Sequence, residues 1–392
     1  MKFVALPVAQ GDAFYAETDD RFRVLVDGGR SQWALPELFL RYTRSRGVNV
    51  LVCTHNDADH AEGVIGFLKS CLDCEELWLP DTWIAALQSV PPDVGATLQF
   101  LRERFAKVEL EPLLAEGEGD VQERAWQAVF PQLRGEQFEG VPEEESATEG
   151  ELRPAFLGAV VGDALPAIDE HLEVTYWLIA RRWRWPFLYW YGDRLDALLA
   201  TTLKDVRRLL EVARLALDRG VPVRCFSHDP VRAASIPGCS LIPLSGRSVR
   251  HVRPSGRRRD AKTFWYYAFL TTVNRRSLVC YLESEGQPGV LFSADSDLRE
   301  MDLSRVQDWS VATAPHHGSR DNRDAYGRVG RPMVWVRSDG YSQVRPCGEY
   351  LSAPGKRFCT LCRNSGRQKQ RVRLCLRNSG WIPLQTRPCE CS

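Results

Sequence analysis

The stretch LVCTHNDADHAEGV (residues 51–64) puts two histidines and three acidic side chains into eight positions directly after a short apolar run. His55, Asp57, Asp59 and His60 are the side chains there that can bind a metal. On a loop leaving a strand, alternate residues point the same way, so His55 and Asp57 can share one ion. Asp59 and His60, once the chain turns into a helix, can face a second. Imidazole nitrogen and carboxylate oxygen suit borderline and hard divalent ions. Two such ions can hold a bridging hydroxide at neutral pH and neutralise a phosphoryl or acyl oxygen as it gains charge. One hexapeptide cannot fill two coordination spheres, so this chemistry needs more His and Asp elsewhere.

Two later motifs supply them. LFSADSD offers Asp295 at the end of a strand, where a carboxylate could bridge two ions. TAPHHGSRDN offers His316 and His317, followed by Gly318 and Ser319 in a loop. The chain has only seven histidines, and four lie in these two histidine motifs. A polar capping loop or an incidental His pair would explain either motif alone. Both together, each behind a strand, favour a two-metal site.

A second cluster of soft ligands closes the chain. Cys359-x-x-Cys362 and Cys389-x-Cys391 are two close pairs separated by a strand-like segment, the spacing of a closed, all-cysteine structural zinc site. Cys347 and Cys375 are alternative ligands, and reduced cysteines on a flexible tail are the plainer reading. Cys71 and Cys74 have no obvious partner and read as small packing residues. Positive charge also gathers late. Residues 337–392 hold 11 Lys/Arg against three acids, and residues 247–262, which include Arg257, Arg258 and Arg259, hold seven against one. Such segments either balance phosphates or are ordinary solvated charge.

The elements that must position these groups alternate. Strands are expected at 3–8, 22–27 and 48–54, with helices over 35–47, closed by Gly47, and over 61–72. A layered α/β arrangement follows. The rhythm breaks over about 81–170, where residues 109–151 hold 13 Asp/Glu against two Arg, Arg124 and Arg134. That segment is expected to be an insertion, either a solvated acidic surface or a mask over a basic site. A hairpin is expected over 172–192 and an amphipathic helix over 201–220, capped by Thr201 and Gly220. Two strands then flank a turn before Asp295, another strand precedes His316, and Trp381 is expected to bury.

The bulk properties are quiet. With 392 residues, no formal net charge and an ordinary charged fraction of 26%, the overall field selects no partner. The N-terminus lacks a basic, cleavable leader, and no segment suggests a membrane span. Twelve scattered cysteines fit reduced thiols and a metal site better than a disulfide scaffold. The expectation is a cytoplasmic globular protein.

Taken in order, VAQGDAF, VLVDGG, THNDADHAEG, the strand ending FSAD, and APHHGS resemble the metallo-β-lactamase superfamily. More narrowly they resemble the branch that includes the hydrolase domain of the DNA-uptake competence protein ComEC. That branch reads VGQGD, LIDGG, SHxDxDHxGG, TGD and HHGS in the same order. The motifs run from residue 8 to 320 and leave the insertions and the tail uncovered. The resemblance implies a four-layer αβ/βα sandwich with both metals between the sheet ends. It implies His55, Asp57, Asp59, His60, Asp295 and one of His316 or His317, taken here as His316, as ligands. Asp27 becomes a supporting carboxylate, with Gly28 and Gly29 allowing a tight turn. Three positions depart from the pattern. Ala9 and Ala294 stand where the branch has Gly, both read as mild changes, and Asn274 stands in the segment where lactamases place a further histidine. Losing that histidine makes manganese as plausible as zinc and β-lactam hydrolysis a poor fit.

The expected division is therefore a hydrolase domain over 1–336 and a basic, Cys-rich extension over 337–392. The expected activity is a two-metal phosphodiesterase or nuclease, with Asp59 and Asp295 holding the ions. The His316–His317 pair would protonate the leaving oxygen, and Ser319 would steady a phosphate oxygen. Nucleic acid is the expected partner. The resemblance also suggests a bacterial conflict or defence system and a protein partner within it. Hydrolysis of a small ester or phosphoester, or a regulatory subunit with a latent site, are the competing readings.

Overall fold

Successive residues of the first strands go to two different cores. Phe3, Phe14, Val24 and Val50 face one, while Val4, Tyr15, Leu25 and Leu51 face the other, so each strand is apolar on both sides. The computed structural model describes residues 1–91, 99–100, 103, 192–231, 235–249, 261–284, 286–331, 334–338, 345–362, 369–378 and 380–391. The acidic stretch 109–151, residues 172–191 of the expected hairpin, and Arg257, Arg258 and Arg259 lie outside them.

In chain order the first elements are β1 (Lys2–Ala5), β2 (Phe14–Glu17), β3 (Arg23–Val26), α1 (Ala34–Thr43), β4 (Gly47–Val52), α2 (Ala58–Lys69), β5 (Asp73–Pro80) and α3 (Thr82–Gln88). Next come α4 (Gly192–Asp218), β6 (Val223–His228), β7 (Leu241–Pro243), β8 (Gly246–Val249), α5 (Ala261–Leu270), β9 (Cys280–Ser284) and β10 (Gln287–Phe292). The last are β11 (Val311–Thr313), α6 (Ala325–Arg328), β12 (Val334–Arg337), α7 (Gly348–Ser352), β13 (Lys356–Cys359), β14 (Val372–Arg377) and β15 (Gly380–Pro383).

The strands form two sheets, ordered β15-β14-β1-β2-β3-β4-β5-β6-β8 and β13-β12-β11-β10-β9-β7. Three apolar clusters divide the molecule into four layers. One lies between the sheets, with Phe3, Phe14 and Phe292 in mutual ring contact. A second packs α1 to α5 on the outer face of the first sheet through Phe39, Phe67, Trp83, Leu209 and Trp265. The third covers the second sheet, where Tyr326 of α6 and Tyr350 of α7 meet Trp335 and its neighbours. No helix among the described residues is long and apolar enough to cross a membrane.

Several boundaries differ from the expectation. Helix α1 stops at Thr43 because Arg44 turns left-handed (φ 59°), and Gly47 opens β4 instead of capping the helix. Helix α2 starts three residues early, at Ala58, which puts Asp59 and His60 in its first turn. Helix α4 runs back to Gly192, so Thr201 is not its cap; Gly220 does sit left-handed just past its end (φ 64°). The segment expected to be an insertion from about 81 begins with α3, whose Thr82 to Leu87 are all buried and which packs on α5. Helix α5 carries no periodic signal, since its AKTFWYYAFL run is nearly all apolar or aromatic.

The 336/337 boundary falls inside β12, and the residues beyond it are built into both sheets. Strand β13 pairs parallel with β12 (Val336↔Phe358). Strand β14 pairs antiparallel with β1 (Phe3↔Leu374), and β15 closes that edge. Trp381 of β15 is 1% exposed, whereas the next residue, Ile382, points outward at 39%. Trp381→Ala should therefore destabilise by about 3–5 kcal/mol, and Ile382→Ala by under about 1 kcal/mol. Denaturant midpoints of the two variants test this, and equal effects would mean the C-terminal strands are not core.

Candidate metal centre

The site starts from one buried carboxylate at the end of β3. Asp27 accepts from the Thr54 backbone N–H at 2.8 Å and the Thr54 hydroxyl at 2.7 Å. Its Oδ2 also takes His60 Nδ1 at 2.8 Å. Thr54 Oγ1 in turn lies 3.0 Å from His55 Nδ1. With its own proton given to Asp27, that hydroxyl can only accept from the ring. Both imidazoles are thereby held with Nδ1 protonated, leaving Nε2 as the inward-facing atom.

The same device recurs on the opposite side. His317 Nδ1 is 3.0 Å from Asp12 Oδ1 and 3.0 Å from the Ser338 carbonyl, so this ring too presents Nε2 inward. Asp12 belongs to the VAQGD motif, and the sequence gives it no role of its own. Its signal is an acidic residue in a tight turn, which chain chemistry alone cannot tell from a turn former.

Asp295 lies between these groups at the end of β10. Its Oδ1 is 3.3 Å from His60 Nε2 and 3.8 Å from His317 Nε2, while Oδ2 is 3.8 Å from His55 Nε2 and 3.6 Å from His316 Nε2. His55 Nε2 is also 3.5 Å from Asp57 Oδ2, and His317 Nε2 is 3.4 Å from Asp59 Oδ2. One half thus gathers His55, Asp57 and Asp295, and the other Asp12, His60, Asp295 and His317, with Asp59 beside His317. His55 and Asp57 share one group as expected; in the other, His60 stands with Asp12, Asp295 and His317, and Asp59 lies beside His317, with Asp295 common to both.

These residues fit divalent ions on their own geometry. His55 Nε2, His60 Nε2, His317 Nε2 and Asp295 Oδ1 are buried and make no hydrogen bond, although they lie within reach of one another. Atoms that converge without aligning on each other are aimed at a common point. Ligands about 2.0–2.1 Å from an ion sit roughly 3–3.5 Å apart across its coordination edges, close to the separations seen. The centre can therefore hold metal ions; the donor set of nitrogen and oxygen does not choose between zinc and manganese.

Of the final histidine pair, His317 joins the ligand group, not His316. His316 Nε2 lies 3.0 Å from Arg345 Nη2, which occupies its lone pair, and its Nδ1 faces Asn322 Oδ1 at 3.3 Å. Ser319 directs its hydroxyl to Asp321 and accepts from the Asp321 N–H, so it shapes the loop. Asn274 is buried in a short 3-10 turn whose carbonyl holds Ser277, and its Oδ1 has no hydrogen-bond partner. Gly28 lets the VLVDGG turn touch α2, because a Cβ there would meet the Gly63 carbonyl carbon at 2.4 Å. Gly29 takes the left-handed conformation expected of it (φ 72°). Asp27, Ala294, His316 and His317 also have positive φ. Ala294 in place of Gly is therefore not a neutral change but holds strain on the order of 1 kcal/mol.

Electrostatics set the resting state without metal. Burial alone would pull His60 down, but Asp295 and Asp27 outweigh it and hold its pKa well above 6.5. His317 behaves alike, with Asp12 and Asp295 overcoming burial. Burial would raise Asp295 and Asp59, yet the surrounding imidazoles keep both below the usual carboxylate range. Asp12 is raised, because burial dominates there. Protons on the imidazoles thus stand where metal charge would. Within the basic tail, Arg337 is buried and Arg371 stacks over Tyr42 at 5.3 Å. Arg345 reaches the centre through His316.

No family model matches the chain, and no curated protein matches it.

Two outcomes follow from this geometry. Removing the shared carboxylate in Asp295→Ala should empty the centre of metal by elemental analysis. Asp27→Asn, which loosens His60 and Thr54 together, should weaken metal affinity about 10–100-fold; unchanged affinity in both would show that metal is held elsewhere. The second outcome concerns pH. Raised imidazole pKa values add stability that is complete below 6.5 and is lost as pH rises through the folded values. The melting temperature of metal-free protein should therefore fall on the alkaline side of neutrality, and loading metal should remove that fall.

Proposed function

We propose that the chain is a metal-dependent hydrolase of the metallo-β-lactamase fold, from the branch resembling the competence hydrolase domain, and that it cleaves phosphodiester bonds in nucleic acid. The observation that carries the reading is Asp295, whose Oδ1 faces the Nε2 atoms of His60 and His317 and whose Oδ2 faces His55 Nε2, so that one carboxylate belongs to both groups able to hold an ion. The four-layer arrangement and the order of the motifs along it are consistent with that family.

Bound divalent ions would supply an acidified water and positive charge for a phosphoryl oxygen. The chain itself supplies orientation. Asp27 and Asp12 fix the rings of His60 and His317, and Thr54 fixes His55. His55, His60, His317 and Asp295 are buried, whereas Asp57 and Asp59 have 27% and 23% of their side chains exposed. Substrate therefore approaches over the two aspartates, beside His316 and Arg345. Arg345 is placed to hold an anionic oxygen. His316 lies at the same edge: its Nε2 accepts from Arg345, and burial and that cation lower its pKa, so the neutral ring aims the Arg345 guanidinium.

The test is a metal-supplemented hydrolysis screen on DNA, RNA, cyclic nucleotides and simple phosphodiesters. Asp295→Ala should abolish turnover. Nucleic-acid binding by the wild type should fall by about 10³ between roughly 50 and 200 mM salt if six or so phosphates are contacted. Turnover restricted to a small phosphodiester, indifferent to salt, would move the substrate class. No cleavage of any phosphodiester by metal-loaded protein would overturn the reading.

A further inference from the structure

We propose that Cys359, Cys362, Cys389 and Cys391 bind one structural zinc ion that fastens the last residues of the chain to the end of β13. The thiols come from two turns about 30 positions apart; those of Cys359, Cys389 and Cys391 gather within 4.8 Å of one another, and Cys362 Sγ stands beside Cys391. Cys359 Sγ contacts all three others, with Cys389 Sγ at 2.7 Å, and Cys362 Sγ lies 3.5 Å from Cys391 Sγ. Cys359, Cys389 and Cys391 alone form a group able to hold an ion. Cys347 and Cys375 do not join it: Cys347 packs in the outer core of the second sheet, and Cys375 faces the Leu376 carbonyl.

Hydrogen-bond donors and a buried cation face the sulfurs. The Glu390 N–H donates to Cys362 Sγ at 3.2 Å and the Cys391 N–H to Cys389 Sγ at 3.4 Å. Backbone donors on sulfur spread the negative charge that a thiolate carries. Arg337, 1% exposed, adds a guanidinium 3.5 Å from Cys391 Sγ. Four thiolates around one divalent ion leave a net negative charge, and this buried cation offsets part of it. Gln370 ties the two turns, donating to the carbonyls of Cys359 and Arg387 and accepting from the Arg387 N–H. Four sulfurs with no imidazole or carboxylate favour zinc in a closed tetrahedral site, which is structural rather than catalytic.

The clamp also reaches the other centre. The Thr360 N–H, next to Cys359, donates to the Arg337 carbonyl, and the Thr360 hydroxyl lies 3.4 Å from Ser338 Oγ. Ser338 accepts from His317 Nδ1 and bonds Gly11. The cysteine site therefore buttresses the segment that orients His317.

The test is cobalt substitution of the full chain with metal counting. Cobalt-loaded wild type should show the intense near-ultraviolet thiolate charge-transfer band of a tetrahedral sulfur site, a signal the His/Asp centre cannot give. Zinc-loaded wild type should release one zinc per chain to a thiol-blocking mercurial. Cys391→Ser should lose that zinc and the cobalt band while keeping the His/Asp metals, and its melting temperature should fall by several degrees. Cys391→His should restore the zinc with a shifted cobalt spectrum. Absence of the thiolate band in wild type, or peptide mapping that recovers Cys359–Cys389 as a disulfide, would overturn the proposal whatever the hydrolysis screen returns.

Discussion

The centre depends on the hydrogen bonds that Asp27 makes from the end of β3. One carboxylate, fully buried, restrains Thr54 directly, His60 directly, and His55 through Thr54. A buried carboxylate with too few partners is expensive, and one surrounded by donors is a rigid anchor. Because Asp27 sits where β3 pairs with β4, the register of two parallel strands sets where two imidazoles point. The approach of Gly28 to Gly63 then fixes α2 against the same turn, bringing Asp57 and Asp59 into place. Ligand geometry here is a consequence of sheet register and helix docking.

Much of the centre was legible because metal-binding side chains are chemically distinctive. His55, Asp57, His60 and Asp295 fall in the two groups able to hold an ion, Asp59 lies beside His317, and Asp27 bonds His60. What was not legible is relational. Choosing between His316 and His317 requires knowing that Ser338 and Arg345, 21 and 29 positions further on, fold back onto the two rings. Asp12 was invisible because its partner lies 305 positions away. Among the elements, β1, β3 and β4 showed themselves by apolar strand runs. Helices α3 and α5 did not, because a helix buried on nearly every side loses its period.

The tail illustrates how local composition misleads about architecture. Eleven basic residues among 337–392 read as a charged extension, yet β14 is interior to the first sheet and β13 edges the second. Alternation reconciles the two. Along β14, Val372, Leu374 and Leu376 enter the core between the sheets, while Arg373 and Arg377 take the intervening positions. A strand with cationic residues on its other face can still be core, and counting charge over a window averages the two faces together.

The C-terminal strands also explain how a strained centre can persist. Asp27, Ala294, His316 and His317 all hold left-handed backbone, which L-residues avoid at a cost of about 1–2 kcal/mol each. Such conformations survive only where the surroundings over-determine them. The His316 N–H donates to the Ala294 carbonyl, coupling two strained positions. The Cys347 N–H holds the Gly318 carbonyl from the other side, and Ser338 with Asp12 fixes the His317 ring. Cys347 and Ser338 belong to the C-terminal segment, whose β13 ends one residue before Thr360 and its contact with Ser338. The chain thus brings its last strands back to restrain the loop that carries its final histidines, so the order of the C-terminal segment and the geometry of the centre are one mechanical problem.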